Sequence, residues 1–354
     1  LLANILFSAL LLLSYLSVYI SPEHFAGFAF LGLIYSFLFL INIFFLIFWI
    51  FFRSWFLLIS TISILIGWNY ILNFIQPGNQ TEAHYTKKPV IKILSYNVRI
   101  FNLWEWSPGK DIGVQSFNFI RNSNANIVCL QEFYSMESKG KNAEDSLLQN
   151  SGLKNAHISY SVINKKKYNH GIATFSSYPI IFKGNIVLNE NDNFCIYSDI
   201  KINEDTLRVY NIHLQSVHFG YDDYQLIENI ESGDSIKVKQ IRGVLNKLKR
   251  GYQKRAKQSE IIAKHIEKSK YPIVLCGDFN DTPNSYVYHV LTKYLIDSFC
   301  ESGSGIGSTY IKRFSTFRID YIMHSDDISS YRFSTPQIEL SDHFPVECKI
   351  QINK

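Results

Sequence analysis

Three long stretches of this chain contain no Asp, Glu, Lys or Arg: residues 1–20, 25–52 and 54–76. A segment without charge makes a poor solvated surface. Each of these also reaches the ~20 residues at 1.5 Å rise that cross a ~30 Å hydrocarbon core. They are predicted to be three transmembrane helices, joined by a short Ser-Pro-Glu-His connection and by Arg53. A basic leader and a small-x-small cleavage site are missing around residues 1–20, which argues against a cleaved signal peptide. Cysteine is scarce: Cys129, Cys195, Cys276, Cys300 and Cys348 have no metal-ligand spacing. This excludes a structural zinc motif and leaves buried free thiols as the better reading than a disulfide framework. Repeats and low-complexity segments are also lacking, so the remainder reads as an ordinary globular chain.

The 354 residues carry a net charge of +5, and Glu23 cancels Arg53 in the apolar part, so the excess lies beyond residue 77. So mild an excess suits an anionic substrate or lipid surface without requiring one. Trp49, Trp55, Trp68 and Tyr70 stand near the ends of the apolar runs, where amphipathic rings favour an interface. Arg53, the one strongly basic residue there, places the second connection in the cytoplasm by the positive-inside preference. The catalytic domain is then expected on the extracytoplasmic side of an integral membrane protein. Residues 77–89, with a Pro-Gly pair and two lysines, read as a tether.

From residue 90 the pattern becomes short β-branched and aromatic runs alternating with helical stretches. Strands are predicted at 90–96, 125–130, 171–176, 194–202, 206–213, 271–276, 319–323 and 346–352, and helices near 113–122, 145–151, 235–267 and 285–293. The domain plan is a membrane region at 1–76, a tether at 77–89 and one catalytic domain at 90–354. The fold class is α/β: a four-layer α/β sandwich, two packed mixed sheets flanked by helices, preceded by the three transmembrane helices.

Polar residues gather at the ends of the predicted strands. Asn97 closes the first, Gln131 and Glu132 the second, and Asn211 and His213 stand at the end of another. Gly277-Asp-Phe-Asn280 supplies Asp278 and Asn280 on one side at period 2. Asp320 follows Arg318, and Ser341-Asp-His343 adds Asp342 and His343. Carboxylates beside amides and imidazoles at a sheet rim suggest metal-assisted phosphoester hydrolysis. Any of these residues alone could be a turn cap, a solvated strand end or a satisfied buried histidine; six such motifs in one order are harder to explain so. His170 lacks that support and reads as a surface or edge histidine.

The ordered series resembles the endonuclease/exonuclease/phosphatase superfamily of DNase I-like fold, over residues 90–354. The resemblance implies Glu132 as the principal metal ligand, with Asn97 nearby and Asp342 facing the metal. Mg²⁺ is the expected cofactor and Mn²⁺ an acceptable substitute, since both favour hard oxygen ligands. Asp278 is implied to align or deprotonate the attacking water and Asn280 to hold that water or a phosphoryl oxygen. His343 would contact phosphate, Asp320 would orient His343, and His213 would supply a second phosphate contact or protonate the leaving oxygen.

The substrate stays open between a phospholipid headgroup and nucleic acid. Asn280-Asp-Thr-Pro283 lacks the aromatic-rich continuation usual in the inositol-phosphate 5-phosphatase branch. The bilayer is the other expected partner, and no protein partner is predicted. The alternative function is a catalytically silent tethered domain that binds anionic lipid or a protein. The basic stretch from Lys237 to Lys270 reads chiefly as the solvated face of an amphipathic helix, with phosphate steering or anionic headgroups as functional alternatives. Residues 220–223 are a candidate substrate-side loop.

Overall fold

The computed structural model describes residues 1–78, 88–102, 111–136, 143–160, 168–188, 194–217, 238–311 and 317–353. The candidate loop at 220–223 and most of the tether lie outside them. The chain divides into two compact units: Leu1–Gly67 with Gln215–Glu260 and Asn284–His289, and Trp68–Leu214 with Ile261–Pro283 and Val290–Lys354.

The second unit is built on two six-stranded sheets. Their strands are β1 (Ile91–Asn97), β2 (Ile127–Met136), β3 (Asn155–Tyr160), β4 (Tyr168–Ser176), β5 (Ile180–Asn185), β6 (Phe194–Ile202), β7 (Asp205–His213), β8 (Ile273–Asp278), β9 (Ile296–Asp297), β10 (Asp320–His324), β11 (Ile328–Ser334) and β12 (Val346–Ile352). One sheet has the order β11-β12-β1-β2-β4-β3 and the other β9-β10-β8-β7-β6-β5. Each contains a single parallel pair at its centre, β1 with β2 and β7 with β8, flanked by antiparallel neighbours. The strands alternate so that Ile93, Ile127, Cys129, Val209, Val274, Cys276 and Val346 fill one core between the sheets. Cys129, Cys195, Cys276 and Cys348 are buried thiols, which suits the small apolar role expected of them.

Helix α1 (Leu2–Ser14), α2 (Gly27–Leu33), α3 (Tyr35–Phe51) and α4 (Leu57–Ile66) form the apolar part of the first unit. They correct the expectation of three transmembrane helices. Among the described residues no single helix is long and apolar enough to cross a membrane; only α2 and α3 together pass by length and composition, and they are bent by 64°. The breaks have local causes. The Ser14 hydroxyl donates to Leu11 O at 2.6 Å and Ser17 to Ser14 O at 2.7 Å, which competes with α-helical bonding, and the chain tightens there into a 3-10 turn. α4 stops at Gly67, where a Cβ would meet the Tyr15 ring at 2.0 Å, so only glycine lets the two segments approach.

Polar side chains of this unit point inward. Ser8 Oγ donates to Asn42 Oδ1 at 2.7 Å, Ser60 Oγ to Asn4 Oδ1 at 2.7 Å, and Asn42 Nδ2 to Phe7 O at 3.1 Å. Asn4, Asn42 and Ser60 are completely buried, whereas Leu2, Phe51 and Trp55 are more than four-fifths exposed. The unit also holds the basic helix α5 (Val238–Ile266) up to Glu260, where Phe30 of α2 meets the Tyr252 ring edge-on at 5.5 Å.

Candidate active site

The parallel pairs set up the site, because parallel strands end at the same rim. Asn97 at the end of β1 pairs in register with Gln131 of β2. At the centre of the other sheet His213 pairs with Asp278, and Asp278 in turn faces Asp320 across the antiparallel β8–β10 pair. β12 begins beside Ser95, which brings Asp342 and His343 to the mouth of the same rim.

Two backbone devices aim the side chains. Leu130 and Phe133 bracket a bulge in the β2–β4 pairing, and Glu132 within it has φ of 51°. The extra residue breaks strict alternation: Gln131 is buried and donates to Asn211 Oδ1 at 2.7 Å, while its neighbour Glu132 also turns toward the rim. Gly277, at φ 146°, is the second device. A Cβ there would lie 2.0 Å from Ile212 O, so the strand preceding Asp278 can hug β7 only with glycine. Asn280, at φ 52°, closes the turn by donating its N–H to Asp278 Oδ1 at 2.7 Å and its side-chain amide to Leu214 O at 3.1 Å.

Asp278 is the hub. Its Oδ2 accepts from Asn97 Nδ2 at 3.0 Å and lies 3.7 Å from His213 Nε2 and 3.8 Å from His343 Nε2. Asn97 Nδ2 also reaches Glu132 Oε1 at 3.4 Å, and His213 Nε2 stands 3.8 Å from that same oxygen. His343 Nδ1 meets Asp320 Oδ2 at 2.9 Å. Burial alone would push the His343 pKa down, but the Asp320 and Asp278 carboxylates hold its proton and raise it to about 10. Burial raises Asp320 to about 6, which His343 and the Thr309 hydroxyl only partly offset. Near neutral pH the pair is therefore an imidazolium held by carboxylates. Asp278, Asp320 and His343 lie close enough to surround a cation themselves. Both imidazole nitrogens already face carboxylates, so His343 acts there as a counter-ion rather than a ligand.

Asp342 pairs with Arg99, Nε to Oδ2 at 3.3 Å. Arg99 was not singled out from the sequence; its position two residues after Asn97 was the available signal. Thr309 was missed too, and its hydroxyl accepts from the backbone N–H groups of Ile319 and Asp320, fixing the start of β10. Each predicted site residue thus has a defined place: Asn97, Glu132, His213, Asp278, Asp320 and His343 in one contiguous cluster, Asn280 closing the turn beneath Asp278, and Asp342 reaching outward to Arg99.

The charges decide what this rim can accept. Among the described residues, Glu132, Asp278, Asp320 and Asp342 place four carboxylates against Arg99 and a protonated His343. An anionic phosphoester would be repelled without a further cation. The donors fit a hard divalent ion: Glu132 and Asp278 offer oxygens, and the buried His213 Nε2 and Asp320 Oδ1 have no hydrogen-bond partner.

Residues 115–343 match the model of the Endonuclease/Exonuclease/phosphatase family. The chain belongs to that family. Residues 1–74 match a separate domain of unknown function (DUF8431). No curated protein matches the sequence. Among solved structures, an endonuclease/exonuclease/phosphatase from Bacteroides vulgatus is 16% identical at TM-score 0.56, covering 75% of this chain and 100% of its own. The human nocturnin catalytic domain with bound sulfate is 16% identical at TM-score 0.54, covering 78% and 100%. A Beutenbergia cavernae member is 12% identical at TM-score 0.53, covering 74% and 72%. At such identities the likeness shows the fold. Members of this family are phosphoester hydrolases, and the superfamily is divalent-metal dependent.

Proposed function

We propose that this protein is a Mg²⁺-dependent phosphodiesterase, or a related phosphatase, whose catalytic domain is attached to a membrane. The observation that carries the catalytic reading is the convergence of Glu132, Asn97, Asp278 and two histidines on one rim, with carboxylates outnumbering fixed cations among the described residues. Glu132 and Asn97 would hold the metal, with Asp342 on its outer side. Once bound, the metal would neutralise phosphoryl oxygens, and Mn²⁺ would serve as well. Asp278, fixed by Asn97 and by the Asn280 N–H, is positioned to orient a water and accept its proton. The His343 imidazolium, steadied by Asp320, donates to the charge that grows on the phosphoryl oxygens. His213 contacts phosphate from the opposite side or delivers a proton to the leaving oxygen, and Asn280 Oδ1 is available to the water.

The membrane reading rests on the inverted packing of the apolar helices, polar groups inside and large apolar side chains outside. Water favours the reverse. The helices would turn this apolar surface toward lipid, and the catalytic domain would stand outside the bilayer. The substrate would then be a phospholipid headgroup or nucleic acid encountered there.

Full-length protein in neutral detergent is expected to hydrolyse a generic phosphodiester with Mg²⁺ or Mn²⁺ and to lose activity on chelation. Glu132→Gln is expected to lower turnover roughly a hundredfold or more without changing the circular dichroism spectrum. Absence of cleavage across phosphodiesters, nucleic acids and phospholipids would instead favour the silent binding domain.

A further inference from the structure

The first unit contains a cleft of about 320 Å³ lined by Glu23, Arg250, Gln253, Lys254 and Lys257. One wall is the connection between α1 and α2, and the other is the basic face of α5. Lys257 Nζ pairs with Glu23 Oε1 at 2.7 Å, and Lys254 Nζ reaches Gln215 Oε1 at 3.3 Å. Among the described residues, three cations against one carboxylate give the cleft an excess of two positive charges. Between Lys239 and Lys257 the chain carries eight Lys or Arg and no acid, so nothing else on that stretch of the helix offsets the excess.

We propose that this cleft binds the phosphate of an anionic phospholipid. The argument is the juxtaposition of the cationic cleft with an outward apolar surface in the same compact unit. Tyr19 and Phe25, on the connection that forms the wall, are both more than half exposed, and Phe25 packs edge-on against Phe28 at 5.1 Å. An amphiphile satisfies both surfaces at once, phosphate on Arg250 and Lys254 and acyl chains along the apolar side chains. A free phosphate would satisfy only the first. Nucleic acid binding in a groove typically adds aromatic stacking platforms for bases, whereas among the described residues the lining here is charged and amide only. Near a membrane surface each Lys or Arg contributes roughly 1 kcal/mol toward anionic lipid, so two are sufficient for a marked preference over zwitterionic lipid. Glu23 opposes the ligand and sets the affinity by competing for Lys257.

This inference rests on the membrane reading, and the test separates the two. Full-length protein in neutral detergent is titrated with short-chain phosphatidylglycerol, short-chain phosphatidylcholine, inorganic phosphate and a single-stranded oligonucleotide, read by tryptophan fluorescence. Phosphatidylglycerol is expected to bind tightest. Arg250→Gln with Lys254→Gln should weaken it roughly thirtyfold, and Glu23→Gln should strengthen it. Both exposed changes should leave hydrolysis of a soluble phosphodiester unaltered. Equal binding of phosphatidylcholine, of inorganic phosphate or of the oligonucleotide would overturn the lipid assignment, as would an unaltered affinity in the double variant. Flotation of the wild type with phosphatidylcholine vesicles tests the membrane reading alone: if it floats and the double variant keeps its phosphatidylglycerol affinity, the cleft is wrong while insertion stands.

Discussion

The two units solve the burial problem with opposite signs. In the sheet unit Ile93, Val209 and Val274 are inside and the rim carries the polar groups; in the helical unit Asn4, Asn42 and Ser60 are inside and leucines, phenylalanines and tryptophan face out. The difference teaches which solvent each surface suits. An apolar core is what water selects. A polar seam between helices is what hydrocarbon selects, since lipid offers those groups no partner and apolar side chains no penalty.

The largest expected effect comes from placing the same substitution in both units. Ile93→Asp buries an unpaired carboxylate between the sheets and should prevent folding, seen as loss of soluble protein in a gel-filtration profile. Phe44→Asp sits on the outward face of α3, where Phe44 is mostly exposed. In water it should change little, but in a bilayer it should cost about 2.5–3.5 kcal/mol. Alkaline extraction of membranes from cells expressing each form would measure it. Extraction unchanged by Phe44→Asp would erase the contrast drawn here.

A smaller effect concerns pH. His343 holds its proton more tightly folded, with a pKa near 10, than unfolded, near 6.5. Its stabilising contribution is complete below about pH 6.5 and is lost as pH rises through about 10. Denaturant titrations should therefore show an alkaline decline in stability of the wild type that is reduced in His343→Gln. The smallest effect belongs to a half-buried ion pair on two interior strands of the sheet unit. Lys92 and Glu347 pair at 2.8 Å on adjacent strands while both remain partly solvated. Lys92→Met should cost about 1 kcal/mol or less, and the loss should shrink further in high salt.

All eight strands predicted from the sequence are interior strands of the two sheets. Among the missed strands, β3, β5, β9 and β11 are the four edges of the two six-stranded sheets. An edge strand has one neighbour and carries polar residues that discourage further pairing, as in the Ile-Ser-Ser-Tyr-Arg-Phe-Ser run of β11. It therefore lacks the apolar run that reveals a central strand. The candidate site was legible for a related reason: a polar residue interrupting an apolar run is conspicuous. Arg99 falls just beyond the predicted strand and Thr309 in a stretch with no predicted element, and they act through pairings with Asp342 and with the start of β10. The bulge at Glu132 was invisible too, because the predicted strand stopped at residue 130 where the ladder instead slips and continues. The helical region misled in the other direction. Composition reported an apolar length; the hydroxyls of Ser14 and Ser17 and the close approach at Gly67 decided where the helices end.

Asn284 gives the helical unit a timetable. Its side-chain amide donates to Ser14 O, and its carbonyl accepts from Ser17 Oγ, across 270 and 267 residues of chain. The end of α1 leaves the ribosome 270 residues before Asn284, the second partner of the Ser14 carbonyl beside Ser17 Oγ. At roughly 5–20 residues per second, Asn284 follows on the order of 15 to 50 seconds later. Until then the first helices are in place but unfinished, and nascent chains truncated before residue 284 should leave them open to factors that recognise unassembled helices.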